Sequence, residues 1–198
     1  MKNITLAFAL LASSALAQTF PVRGDIDAIQ GTNLFELDCT RIRLVSTTVN
    51  LQVLHDASRQ QNIEYDMTVT DVSAGGLTIL NVLSATAVAE QFGMGNLRFG
   101  RSETWDLSAP AGTRYGMFIN VRNATSLTTL GLNNPWFLGS NAVLLLSGTM
   151  PTNFIQVPFT MPTIPSMVGV EISAQTVLLD AANNVSLTHL DCKDVRAN

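Results

Sequence analysis

The sequence predicts an all-β protein: an antiparallel β-sandwich of jelly-roll or immunoglobulin-like type, formed by one domain behind an N-terminal leader. Three observations predict it. Apolar and polar residues alternate with period two, as Ile63, Tyr65, Met67 and Val69 do against Glu64, Asp66, Thr68 and Thr70. Turn-forming clusters separate such runs: "SAGG" at 73–76, "APAG" at 109–112, "LNNP" at 132–135 and "AANN" at 181–184. No heptad, long internal repeat or low-complexity stretch competes with the pattern.

The first element, "MKNITLAFALLASSALAQTF", reads as a secretory signal peptide. Lys2 provides the positive start, Ile4 to Ala12 an apolar core, and Ala15-Leu16-Ala17 a small-x-small cleavage site. The apolar run is shorter than the about 20 residues that span a bilayer. Cleavage after Ala17 would remove 17 of the 198 residues, leave 181, and take the formal net charge from −4 to −5 with the loss of Lys2. The expectation is an exported chain, secreted or held in the cell envelope, with no transmembrane span in its mature part.

"GDID" at 24–27 places two carboxylates two residues apart. The calcium pattern D-x-[DN]-x-[DN]-G is absent, so an unstructured polar segment is expected there. Strands are expected at 40–46, at 49–53, where Val49, Leu51 and Val53 alternate with Asn50 and Gln52, and at 63–71, 77–88, 97–107, 114–121, 141–148, 154–160, 168–179 and 185–192. "HDASRQQN" after Val53 reads as a polar loop. The alanines of 81–92 raise helical propensity, but a strand is expected, with room for a short helical turn after it. Pro158 lies inside an apolar run and demotes it to an edge strand or a bulge. A split into two domains near 108–112 is the alternative organisation.

The two cysteines sit in the same tripeptide, "LDC", at 37–39 and at 190–192. In a strand, residues two apart share a face, so Leu37 joins Cys39 and Leu190 joins Cys192 inward. Asp38 and Asp191 then point to solvent. An exported chain with two cysteines most economically forms one disulfide, Cys39 to Cys192, with two free buried thiols as the alternative. Such a bridge needs Cα atoms within about 7 Å and stabilises by about 5 kcal/mol through loop closure. It also favours a single closed domain over two.

Composition and motifs narrow the function mainly by exclusion. An acidic chain whose only lysine beyond the leader is Lys193, with nine scattered arginines, does not suit nucleic acid. No serine stands in G-x-S-x-G, and "FGMGNLRFG" at 92–100 lacks the nucleotide-loop spacing. Its glycines flanking Met94 read as a turn with positive φ. His189 and Asp191 share a strand face but lack a third metal ligand, so a solvated pair is expected. No catalytic residue, metal site or cofactor is assigned.

The most suggestive run is "NLRFGRSETWDL" at 96–107. Alternation puts Arg101, Glu103 and Trp105 on one face with Leu97, Phe99 and Leu107. A bulge at Gly100, with Trp105 covering the sandwich edge, resolves the clash of charge with core. Otherwise Arg101, Glu103 and Trp105 form an exposed platform suited to a sugar ring, with Trp136 as a second candidate. Residues 136–139, "WFLG", are read as plugging one end of the sandwich. The sequons at Asn123 and Asn184 matter only in a eukaryotic secretory route, and the excess of arginine over lysine points to a bacterial source.

"LGSNAVLLLSGTMP" and "VPFTMPTIPSMVGVEISAQTVLLDAANNVSLTHL" carry a Pro-bounded link between strands and a terminal "ISAQTVLLD" strand. Residues 138–190 thereby resemble the β-rich C-terminal modules of uncharacterised secreted bacterial proteins. The resemblance implies a β-sandwich and placement in the envelope or outside the cell, and it implies no catalytic residues.

Together these readings favour a secreted, non-catalytic β-sandwich module with a structural or binding role at the bacterial surface or in the extracellular matrix. Its partner is unknown, with an extracellular glycan or an envelope protein as candidates. A carbohydrate-binding module is the first alternative. The second is a hydrolase using carboxylates such as Asp66, Asp71 or Glu103, which requires a pair about 5–10 Å apart in a cleft.

Overall fold

Alternating β-branched and apolar residues at 63–71 and 79–89 give the longest antiparallel pair, around which the first sheet is assembled. The computed structural model describes residues 18–61, 63–121 and 127–197; the expected leader at 1–17 and the Asn123 sequon lie outside them. The N-terminal part supplies β1 (Thr19–Gly24), β2 (Ile26–Ala28), β3 (Phe35–Leu37), β4 (Arg43–Val45), helix α1 (Leu51–Gln61), β5 (Ile63–Asp71) and β6 (Ile79–Ala89). The middle supplies β7 (Phe92–Gly93), β8 (Leu97–Arg98), β9 (Ser102–Ser108) and β10 (Arg114–Val121). The remainder supplies β11 (Val143–Thr149), β12 (Phe154–Thr160), a 3₁₀ turn (Pro165–Met167), β13 (Glu171–Leu179), β14 (Val185–Leu187) and β15 (Asp191–Arg196).

The protein is all-β, with its strands distributed over three sheets. The first runs β1-β5-β6-β4-β3-β2, the second β11-β10-β13-β15-β8 with β14 beside β13, and the third β12-β9-β7. Pairing is antiparallel except at β4–β6 and β8–β15, which run parallel. Pro158 lies in β12, an outer strand, as its missing N–H requires.

Two hydrophobic clusters fill the molecule. The first gathers Val22, Ile26, Leu37, Leu44, Tyr65, Met67, Val69, Leu80 and Val82, with Phe137, Leu138 and Leu190 arriving from far along the chain. The second gathers Phe92, Leu97, Trp105, Leu107, Met117, Ala174, Leu178 and Val195. Phe137 and Leu138 thus do plug a core, and the loop before them is clamped rather than solvated. Gln175 donates to the Pro135 and Thr188 carbonyls at 2.9 and 3.0 Å and accepts from the Phe137 N–H. Asn134 accepts from the Arg23 N–H and donates to the Thr188 carbonyl.

Several sequence expectations are corrected. Residues 51–53 are not strand: α1 starts there, after Asn50, whose side chain accepts the Val53 N–H. Three alternating residues cannot distinguish the two periods, and the longer spacing of Leu51, His55 and Ser58 puts one helix face inward. His55 and Asp56 are therefore helical, and Asp56 accepts from Gln52 one turn earlier at 2.8 Å. Residues 24–27 are ordered, Gly24 ending β1, Asp25 linking the strands, and Ile26 and Asp27 in β2. Chain 81–92 has no helical turn; β6 passes into β7.

The cysteine expectation is met at the bond and revised in its surroundings. Cys39 and Cys192 are disulfide-bonded with Cα atoms 5.5 Å apart, across 153 residues. Cys39 lies in a turn after β3 at φ 59°, its N–H held by the Asp38 carboxylate at 2.8 Å. That left-handed conformation is unusual for a residue with a Cβ. Asp191 does not face solvent: it is 7% exposed and accepts the Met94 N–H at 2.6 Å.

Candidate functional site

The run 96–107 settles around Gly100, whose φ of 64° makes a turn between β8 and β9. The turn lifts Arg101 to the surface without switching faces, so Leu97, Phe99, Trp105 and Leu107 all remain inward. Trp105 is 1% exposed and lies against Phe159 at 4.9 Å and edge-on to Phe92 at 6.1 Å. It is a core residue, and it leaves the platform proposed for Arg101, Glu103 and Trp105 without an aromatic surface. Glu103 is half-buried on β9. Trp136 is half-buried in the other cluster, edge-on to Phe118, with its indole N–H donated to the Gly139 carbonyl at 2.8 Å. Trp105→Ala is therefore expected to cost stability, about 3–5 kcal/mol in denaturant unfolding, as for other buried aromatics.

The glycines around Met94 also differ from expectation. Gly93 and Gly95 do not adopt positive φ. Gly95 is needed for close approach, because a Cβ there would lie 2.5 Å from the Thr104 carbonyl oxygen.

The strongest concentration of titratable groups joins the two clusters. Glu64 leaves the outward face that alternation assigns it and is 1% exposed; His189 is 4% exposed. His189 Nδ1 approaches Glu64 Oε1 at 2.8 Å, an ion-pair contact rather than an aligned hydrogen bond. The same Glu64 oxygen accepts the Gln91 N–H at 2.9 Å. Burial alone would push the imidazole down, but the carboxylates of Glu64, Asp191 and Asp25 outweigh it and hold His189 above its ordinary value. Asp191, two residues on, is braced by the Met94 and Cys192 N–H groups and by Lys193 Nζ. His189 and Asp191 are thus buried, not solvated, and they stand beside the disulfide.

Asp25, between β1 and β2, opens this junction to the surface. Its carboxyl is pushed up to about 7, chiefly by burial, with His189 opposing and Glu64, Asp38 and Glu90 adding to the shift. It lines a cleft of about 200 Å³ with Asp27, Asp38, Ser58 and Arg59. Burial raises Asp38 as well. Asp27 lies 3.7 Å from His55, whose Nδ1 is 2.9 Å from the Ile26 carbonyl. A carboxyl raised to about 7 can both give and take a proton near neutrality. Among the described residues no three His, Cys, Asp or Glu side chains form a metal-binding group.

The carboxylates named for hydrolysis lie elsewhere. Asp66 is gripped by Arg23 through two contacts of 2.6 and 2.7 Å, and Asp71 accepts the Ser73 N–H in a turn. Asp71 also edges a larger groove of about 580 Å³ lined by Phe20, Pro21, Leu127, Leu130 and Pro135.

No family model, curated protein or solved structure matches the chain.

The junction was only partly legible in sequence. "GDID" and "HLD" flagged Asp25 and His189, but Glu64 sits in a strand whose strict alternation sends it outward. The available signal was scarcity: one of only two histidines lies three residues before a cysteine expected to be bridged.

Proposed function

We propose that the chain is an exported β-rich module with a structural or binding role at a bacterial surface or in the extracellular matrix, acting without catalytic chemistry. The observation that carries this reading is how its polar groups are used. His189, Glu64, Asp191, Gln175 and Asn134 are spent as buried braces between distant segments, next to a disulfide suited to an oxidising compartment. The leader-like residues 1–17 and the resemblance of 138–190 to modules of secreted bacterial proteins support the same placement.

The test is fractionation of the source cells, with the chain expected in the envelope or the medium; a cytoplasmic pool alone would overturn the proposal. One observation favours a second reading, a carboxylate hydrolase: Asp25, raised by burial to about 7, lines a cleft with Asp27 and Asp38. Under the module reading, Asp25→Asn alters stability and leaves no turnover to be lost. A hydrolytic activity abolished by Asp25→Asn would decide for the enzyme.

A further inference from the structure

A strand at a sheet edge offers unpaired backbone groups to any other strand, and natural proteins guard such edges. Nearly every outer strand here has a guard. Beside β1, Pro21 lacks a donor and the Arg23 N–H is taken by Asn134. The three-residue β2 carries Asp27 and has its Ile26 carbonyl engaged by His55. Asn133 both donates to and accepts from Leu187 on β14. Strands β7 and β8 are two residues long, and β12 contains Pro158.

The least guarded is β11. It is seven residues long, reads Val-Leu-Leu-Leu-Ser-Gly-Thr, and contains no charge and no proline. Among the described residues no strand pairs with its outer side. Val143 and Leu144 are 62% and 50% exposed, the former the most exposed large apolar side chain described. Its one guard is a bulge: Met117 faces Leu146 and Phe118 faces Leu144, leaving Leu145 between them to bend the strand.

We propose that β11 pairs antiparallel with β11 of a second copy of this chain, joining two second sheets edge to edge. The inference rests on the structural or binding reading above and names the partner. Two features select a second copy over a foreign strand. Centred on Leu146, the self-register sets Leu146 against its own copy, Leu144 against Gly148, Leu145 against Ser147 and Val143 against Thr149, so that the flanking large side chains each meet a smaller or β-branched one. Such a two-fold contact is self-complementary by construction. The chain is also acidic overall, at −4, and this edge is a place where two copies meet without opposing charges. Seven residues fall well short of the about 20–30 per side in a stable interface, so the pairing is weak and concentration-dependent.

Sedimentation of the protein from micromolar to millimolar concentration tests this. The wild type is expected to pass from monomer to dimer, and Ser147→Lys, an exposed position on the edge, to remain monomeric. Thr149→Lys repeats the test should the first variant fold poorly, and Leu130→Lys, exposed but off β11, should dimerise like the wild type. A wild type that stays monomeric throughout, or a dimer indifferent to both lysines on β11, would overturn the proposal. A monomer found in the envelope would sink the self-pairing alone and leave the module reading standing.

Discussion

Replacing Glu64 by Gln is expected to lower the unfolding free energy by about 3–5 kcal/mol, because removing one partner leaves the other charge buried without compensation. The variant keeps the shape of the side chain, so the effect reports charge. The same substitution should also change how stability responds to pH. His189, Asp25 and Asp38 all have folded-state values above their ordinary ones, so the folded chain binds protons that the unfolded chain has released. For His189 the associated stability is complete below its unfolded value near 6.5 and is lost as pH rises through the raised one. For Asp25 it is complete below about 3.8 and is lost progressively toward about 7. Asp71 is lowered and acts in the opposite sense, losing its contribution as pH falls below the ordinary carboxylate range. Stability is therefore greatest in mild acid and declines through neutrality. At about 1.4 kcal/mol per pH unit the Asp25 shift sets an upper limit of about 4 kcal/mol, which solvent at a partly exposed carboxyl reduces. Because Glu64 raises both His189 and Asp25, Glu64→Gln should flatten the decline. Denaturant unfolding at pH 5 and pH 8 on both proteins measures it, and an equal decline in the two would contradict the assignment.

The second large effect is at the bridge. Changing Cys39 and Cys192 together to serine is expected to cost about 2–5 kcal/mol, since the cross-link closes a loop of 153 residues in the unfolded chain. For a chain of this size that lowers the melting temperature by about 10 °C. A loss of less than 1 °C would show that the loop is held closed without the bond. The two effects should not be additive, because Cys192 and His189 belong to the same short segment and brace the same junction.

Much of this architecture was legible because strands write their period into the sequence. The turn clusters at 109–112 and 181–184 fall where strands end, and 114–121 and 154–160 are strands over those same residues. The pairing of Cys39 with Cys192 followed from their number and from the expected export. What failed did so for identifiable reasons. Alternation over Val49 to Val53 is too short to separate strand from helix, and α1 then depended on Asn50 and on packing over β2. Outward assignments for Glu64 and Asp191 assumed that a charged residue seeks water. Here each meets a partner distant in sequence, His189 in an ion pair for Glu64 and the Met94 N–H for Asp191. Trp105 went inward because the turn at Gly100 preserved the alternation, leaving Arg101 outside it. Partners more than 90 residues away leave no local mark in a single sequence.

The central claim is that the chain, proposed above to be exported, is closed on itself by a bond between its early and late segments, beside a buried ionic junction. Peptide mapping of the natively produced protein under non-reducing conditions tests it most directly. The account predicts one cross-linked peptide pair containing Cys39 and Cys192, from a chain that begins at Gln18. Two free thiols, or a chain retaining residues 1–17, would contradict it.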